Sequence, residues 1–166
     1  MIQWTPQLDT MLGLPIKSPV TGDILPLTSH PERLFNANVL PQALCIKLQH
    51  GTLVAPFASS YSCSFLDGRR LRFKHKSGLT MQLDLADSKT YRHGVAIRHL
   101  VNSGQQVQAG QAVIRLDLQL LQHSNADWVV LTILPHSAIS NVLSAERFVT
   151  AAEDTAFTIQ LKNHAL

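Results

Sequence analysis

Charge is scarce in this chain. Only 15% of its 166 residues are Asp, Glu, Lys or Arg, while 45% are hydrophobic. That balance excludes a disordered segment and is the composition of a globular domain. An excess of one sign is also lacking. The net charge of +3 and the pI of about 9.1 are too mild to imply a nucleic-acid partner. Long hydrophobic runs are missing. The longest, Trp128 to Leu134, is interrupted by Thr132 and falls far short of the roughly 20 residues that span a bilayer as a helix. The opening Met1-Ile2-Gln3-Trp4-Thr5-Pro6 has no basic region followed by an apolar stretch, so no secretory signal is expected and the chain reads as cytoplasmic. Cysteine is almost absent. Cys45 and Cys63 stand alone in strand-like stretches and read as two buried, reduced thiols.

Metal motifs are absent as well. There is no HExxH and no paired Cys/His spacing, and His93 and His99 are six apart, which suits no helix face or known metal motif. No metal and no cofactor is expected. Lys74-His75-Lys76 is a faint echo of a carrier-lysine turn and is discounted.

What is present is short alternation. Apolar and polar residues alternate in brief runs broken by Gly, Pro, Ser and Asn, the pattern of a mainly β domain. Ala43 to Leu48, Thr52 to Ala55, Val95 to Leu100, Ala112 to Leu116, Trp128 to Leu134 and Phe157 to Leu161 read as strands. The clearest hairpin joins Leu71 to Lys76 and Leu79 to Leu85 across Ser77-Gly78. Helical signals are few: Ser29 to Phe35, a turn capped by Asp117, and Ser137 to Ala145 with Ile139, Val142 and Leu143 on one face. Residues 1–15 are expected to form a tail or a short amphipathic piece, and 16–166 a single domain. Gly22 and Gly110 each sit between apolar positions and are expected at turns.

The strongest charge feature is Arg69, Arg70, Arg72, Lys74, His75 and Lys76. On a strand, Arg70, Arg72, Lys74 and Lys76 share one face. The bland reading is an edge guarded by charge against aggregation. The functional one is a dock for an acidic protein surface, membrane headgroups or another anion. Exposed aromatics that would stack bases are not interleaved with it, which argues against single-stranded nucleic acid.

Several segments together carry a family resemblance. They include Ser18-Pro19-Val20-Thr21-Gly22, Pro31 with Phe35, Ile46-Lys47, Val54-Ala55-Pro56, Phe65, Gly78, the glycines and valine of Gly104-Gln105-Gln106-Val107-Gln108-Ala109-Gly110, and Asp117-Leu118. From about Ile16 to Leu134 the register resembles, without a gap, the glucose-type IIA domain of the bacterial phosphoenolpyruvate–sugar phosphotransferase system. The resemblance implies an all-β, barrel-sandwich hybrid-like β-sandwich with a few short helices.

The departures from the family pattern fall in its reaction centre. The family has two active-site histidines fifteen residues apart; the matching positions are Arg69 and Asp84, also fifteen apart. The family's His-x-Gly-x-Asp-Thr-Val is here Asp84-Leu85-Ala86-Asp87-Ser88-Lys89-Thr90. Phosphohistidine transfer needs a neutral imidazole as nucleophile, and an Arg cannot lose its proton. The resemblance therefore implies a regulatory protein that acts by protein binding, with no catalytic residue and no small-molecule substrate. Arg69 and Asp84 are expected to face each other. The docking face is expected to hold Leu34, Phe35, Phe65 and Gln82, with Arg72 and Lys74 at its rim. Partners implied by the family are a permease or a metabolic enzyme, with the histidine phosphocarrier protein a further candidate; peripheral membrane contact is left open. Two alternatives stand beside this reading: an anion-binding module using residues 69–76, and a phosphocarrier using Asp84.

Overall fold

Alternation decides the centre of the molecule. Along Arg70–Lys74, exposed and buried residues strictly alternate, with Leu71 and Phe73 fully buried. Thr80–Leu85 sends Met81, Leu83 and Leu85 to the same core. The turn between them spans His75 to Gly78. His75 N–H donates to the Leu79 carbonyl (2.8 Å) and Gly78 N–H to the His75 carbonyl (2.9 Å). Gly78 takes φ +92°, which a side chain would strain.

The computed structural model describes residues 1–37, 39–40, 42–64, 68–86 and 94–163. Its fold is all-β, as expected, with open sheets and short helices. One sheet of eight strands runs β10 (Gln106–Val107), β6 (Ser59–Cys63), β7 (Arg70–Lys74), β8 (Thr80–Leu85), β12 (Trp128–Ile133), β4 (Ala43–Leu48), β3 (Gly22–Leu25) and β14 (Phe148–Val149). A second, of four, runs β1 (Gln3–Trp4), β13 (Ile139–Ser144), β15 (Thr155–Leu161) and β2 (Leu14–Lys17). A third, of three, runs β5 (Thr52–Val54), β11 (Ala112–Leu116) and β9 (Ile97–His99). The inward residues of all three form one continuous core, from Leu44, Ile46, Leu83 and Leu131 to Leu53, Ile114 and Phe157.

Several sequence expectations are refined. The stretch expected as a tail contributes β1, a 3-10 turn at Thr10–Leu12 and the first residues of β2. Ser137 to Ala145 is not a helix but contains β13. The register between β13 and β15 shifts between Ile139 and Asn141. That irregularity breaks the two-residue alternation and leaves apolar residues three apart, which mimics a helical face. Gly22 is not at a turn but inside β3. A Cβ there would lie 2.1 Å from the Lys47 carbonyl oxygen, so its role is close approach of two strands. Ser29 closes a 3-10 turn instead of capping a helix; helix α1 (Arg33–Asn36) follows. Asp117 does cap α2 (Leu118–His123), its side chain accepting from Leu120 N–H at 3.2 Å.

Candidate functional site

The outward face of the eight-stranded sheet carries the polar residues that alternation removes from the core. In the β7–β8 register Arg70 stands opposite Asp84, Arg72 opposite Gln82 and Lys74 opposite Thr80. On the other side of β8, Asp84 pairs with Val130 and Gln82 with Thr132.

Four side chains form a continuous relay. Arg70 Nε donates to Asp84 Oδ1 at 2.7 Å. Gln82 Nε2 donates to Asp84 Oδ2 at 2.9 Å. Arg72 Nε donates to Gln82 Oε1 at 2.9 Å. The amide of Gln82 is thus oriented by its partners: its oxygen meets a cation and its nitrogen a carboxylate. Asp84 and Gln82 are buried, at 6% and 7% exposure, while the Arg70 side chain is half exposed. Both carboxylate oxygens are therefore engaged from within the protein. The hydroxyl of Thr132, next to Gln82, is buried and has no partner among the described residues.

The expected Arg69–Asp84 pair is corrected to Arg70–Asp84. Directly opposed residues on antiparallel strands lie nearest each other, and the register opposes residue 84 to residue 70. Arg69 meets the neighbouring residue through its backbone: its carbonyl accepts from Leu85 N–H at 2.9 Å.

The apolar side of the face is built by residues 27–37. His30 is buried and stacks edge-on against Phe35 (ring centroids 4.8 Å apart) and near Trp128 (5.8 Å). Lys47 Nζ lies 5.5 Å from the Trp128 ring centroid. His30 Nδ1 accepts from Glu32 N–H at 3.0 Å, which puts the proton of the neutral ring on Nε2. Burial lowers the His30 pKa from 6.5 to about 4. Phe35 is only 8% exposed, so it supports the face from below, whereas Leu34 on the same helix is 73% exposed. The family resemblance implied both residues for the docking face, but only Leu34 is exposed. Phe65 lies outside the described residues. Lys74 is exposed at the end of β7. Sequence reasoning missed His30 and Thr132, the buried polar groups beside this face; a histidine between a Ser and a Pro gives no signal of burial.

No group of three or more His, Cys, Asp or Glu among the described residues is placed to hold a metal. No helix among them is long and apolar enough to cross a membrane.

The fold is an open β-sandwich whose eight-stranded sheet carries a polar relay satisfied from within the protein. Residues 14–139 match the family of the phosphoenolpyruvate-dependent sugar phosphotransferase system, EIIA 1, and the chain belongs to that family. One curated relative is the PTS system glucoside-specific EIICBA component of Staphylococcus carnosus (strain TM300), 22% identical over 130 residues. The shared region covers 78% of this chain and 19% of that protein, so the chain spans about a fifth of the relative's length. Among solved structures, glucose permease IIA from Mycoplasma capricolum superposes with a TM-score of 0.74 at 16% identity, covering 93% of this chain and 98% of that one. At that identity the likeness establishes the fold.

Proposed function

We propose that this chain is a IIA-type module, residues 16–166 acting as one domain, that regulates by binding proteins and does not carry a phosphoryl group. The observation that carries this reading is the state of Asp84. It stands where the family resemblance sets the phosphoacceptor histidine, and both of its oxygens are held, by Arg70 and Gln82. A phosphoryl acceptor needs a free lone pair aimed outward; here each carboxylate oxygen already accepts a hydrogen bond, and the residue is buried. Arg69, at the position of the second histidine, has no deprotonated form that could act as a base.

The partner class follows from the family: a cytoplasmic domain of a sugar permease, or an enzyme or carrier that meets the same surface. Leu34 supplies an exposed apolar contact on α1, and Lys74 an exposed positive charge on β7. The reading of residues 69–76 as a free anion site is weakened, because Arg70 and Arg72 are already committed to Asp84 and Gln82.

The test is phosphotransfer. The chain is incubated with labelled phosphoenolpyruvate, the first enzyme of the system and the histidine phosphocarrier protein. It should stay unlabelled, while an intact IIA domain in the same mixture takes up label. Acid-labile label on a histidine of this chain, or acyl phosphate on Asp84, sinks the proposal.

A further inference from the structure

A cavity of about 540 Å³ lies between the β7–β8 hairpin tip and strands β2, β13 and β15, away from the Asp84 relay. Its size falls within the roughly 300–1,000 Å³ of small-molecule sites. Ile16, Phe57, Leu79, Ile139 and Ile159 make its walls apolar. Leu14 and Leu161, 46% and 55% exposed, leave its rim open to solvent.

The polar side chains in the lining are His75, Ser77 and His136, all at the hairpin end. The two imidazoles are wired alike. Ser77 N–H donates to His75 Nδ1 at 3.1 Å. Ala138 N–H donates to His136 Nδ1 at 3.2 Å. A ring nitrogen that accepts carries no proton, so in each neutral ring the proton sits on Nε2. Neither Nε2 has a hydrogen-bond partner among the described residues. The His136 ring packs beneath the turn, where a Cβ on Gly78 would lie 3.2 Å from its Nε2. No carboxylate lines the cavity. An apolar chamber with two N–H donors and no carboxylate at one end complements an apolar molecule with an anionic, hydrogen-bond-accepting head.

We propose that this cavity binds a small amphipathic carboxylate, its apolar chain enclosed by the two sheets and its head at His75 and His136. The site is separate from the docking face, and its test does not depend on the phosphotransfer result.

The experiment titrates decanoate, and in parallel the uncharged decanol, into the isotope-labelled full chain while amide resonances are followed. Decanoate should shift Phe57, His75, Leu79 and His136. His136→Leu should weaken decanoate roughly tenfold, the scale of one hydrogen bond to a charged group, and leave decanol unchanged. Ser77→Trp, on the exposed turn, should close the mouth and abolish both. Absence of decanoate shifts at these residues overturns the proposal, as does equal binding of decanoate and decanol, which would remove the assigned role of the imidazoles. Phosphatidylglycerol vesicles form a third arm. Vesicle binding that Ser77→Trp does not alter, without any decanoate response, would place lipid contact elsewhere and also overturn it.

Discussion

Arg70 and Asp84 stand directly opposite each other on β7 and β8, joined by a 2.7 Å contact from the guanidinium Nε to the carboxylate Oδ1. The aspartate is buried and the arginine half exposed, so the two halves of the pair are not equivalent. Removing the cation strands a buried carboxylate, whereas removing the carboxylate leaves an arginine that can reach water. Arg70→Ala should therefore cost about 1–2 kcal/mol in urea unfolding, a value reduced by solvent at the arginine. Adding Asp84→Asn should recover part of that loss. A double-mutant cycle with no coupling between the two positions would show the contact to be incidental.

Adjacent residues on α1 should behave oppositely. Phe35 is buried against His30, and Phe35→Ala should lower stability by about 3 kcal/mol. Leu34 is exposed, and Leu34→Ala should move stability by no more than about 0.5 kcal/mol. A larger loss for Leu34→Ala than for Phe35→Ala in chemical denaturation would mean that the helix is seated the other way round.

Acid should weaken the fold through His30. Its pKa is about 4 when folded, against 6.5 ordinarily, because burial disfavours the charged ring. Between these values the unfolded chain binds more protons than the folded one. This contribution is therefore complete above pH 6.5 and declines as the pH falls toward 4, by up to about 3 kcal/mol. His30→Asn should flatten that part of the stability–pH curve. Identical slopes for the variant and the parent would remove His30 as the cause.

Two glycines should differ in the cost of a methyl group. At Gly104 (φ +94°) a Cβ meets nothing within 4 Å, so Gly104→Ala should cost only backbone strain, about 1 kcal/mol. At Gly22 a Cβ would lie 2.1 Å from the Lys47 carbonyl oxygen, so β3 must move off β4. Thermal melts of the two variants should separate clearly, with Gly22→Ala the lower.

Cys45 should resist thiol reagents in the native state. Burial raises its pKa to about 12, and its Sγ lies 3.3 Å from the Pro26 carbonyl oxygen. Modification of Cys45 should appear only with unfolding; labelling of the folded chain at that residue would contradict its placement.

The central hairpin was legible because its alternation is unbroken: Leu71, Phe73, Met81 and Leu83 face one way and their charged or polar neighbours the other. β13 was not legible, because the shifted register after Ile139 gives a strand the spacing of a helix. For the site, the family resemblance and the expected hairpin brought positions 69 and 84 together, yet only cross-strand pairing distinguishes residue 69 from residue 70. The resemblance implied Phe35 and Leu34 alike, and one turn of helix gives no period from which to tell inside from outside. The relay through Gln82 was beyond reach, because a glutamine in a strand shows nothing of which end its amide presents.

The relay has a consequence for information. A histidine that gains and loses a phosphoryl group reports the supply of donor from moment to moment. A carboxylate gripped by an arginine and an amide presents the same pattern of charge at all times. If, as proposed, the chain carries no phosphoryl group and partners meet that face, the quantity it broadcasts is how many copies of the chain exist. Control would then pass from the chemistry of one side chain to the synthesis and removal of the whole protein.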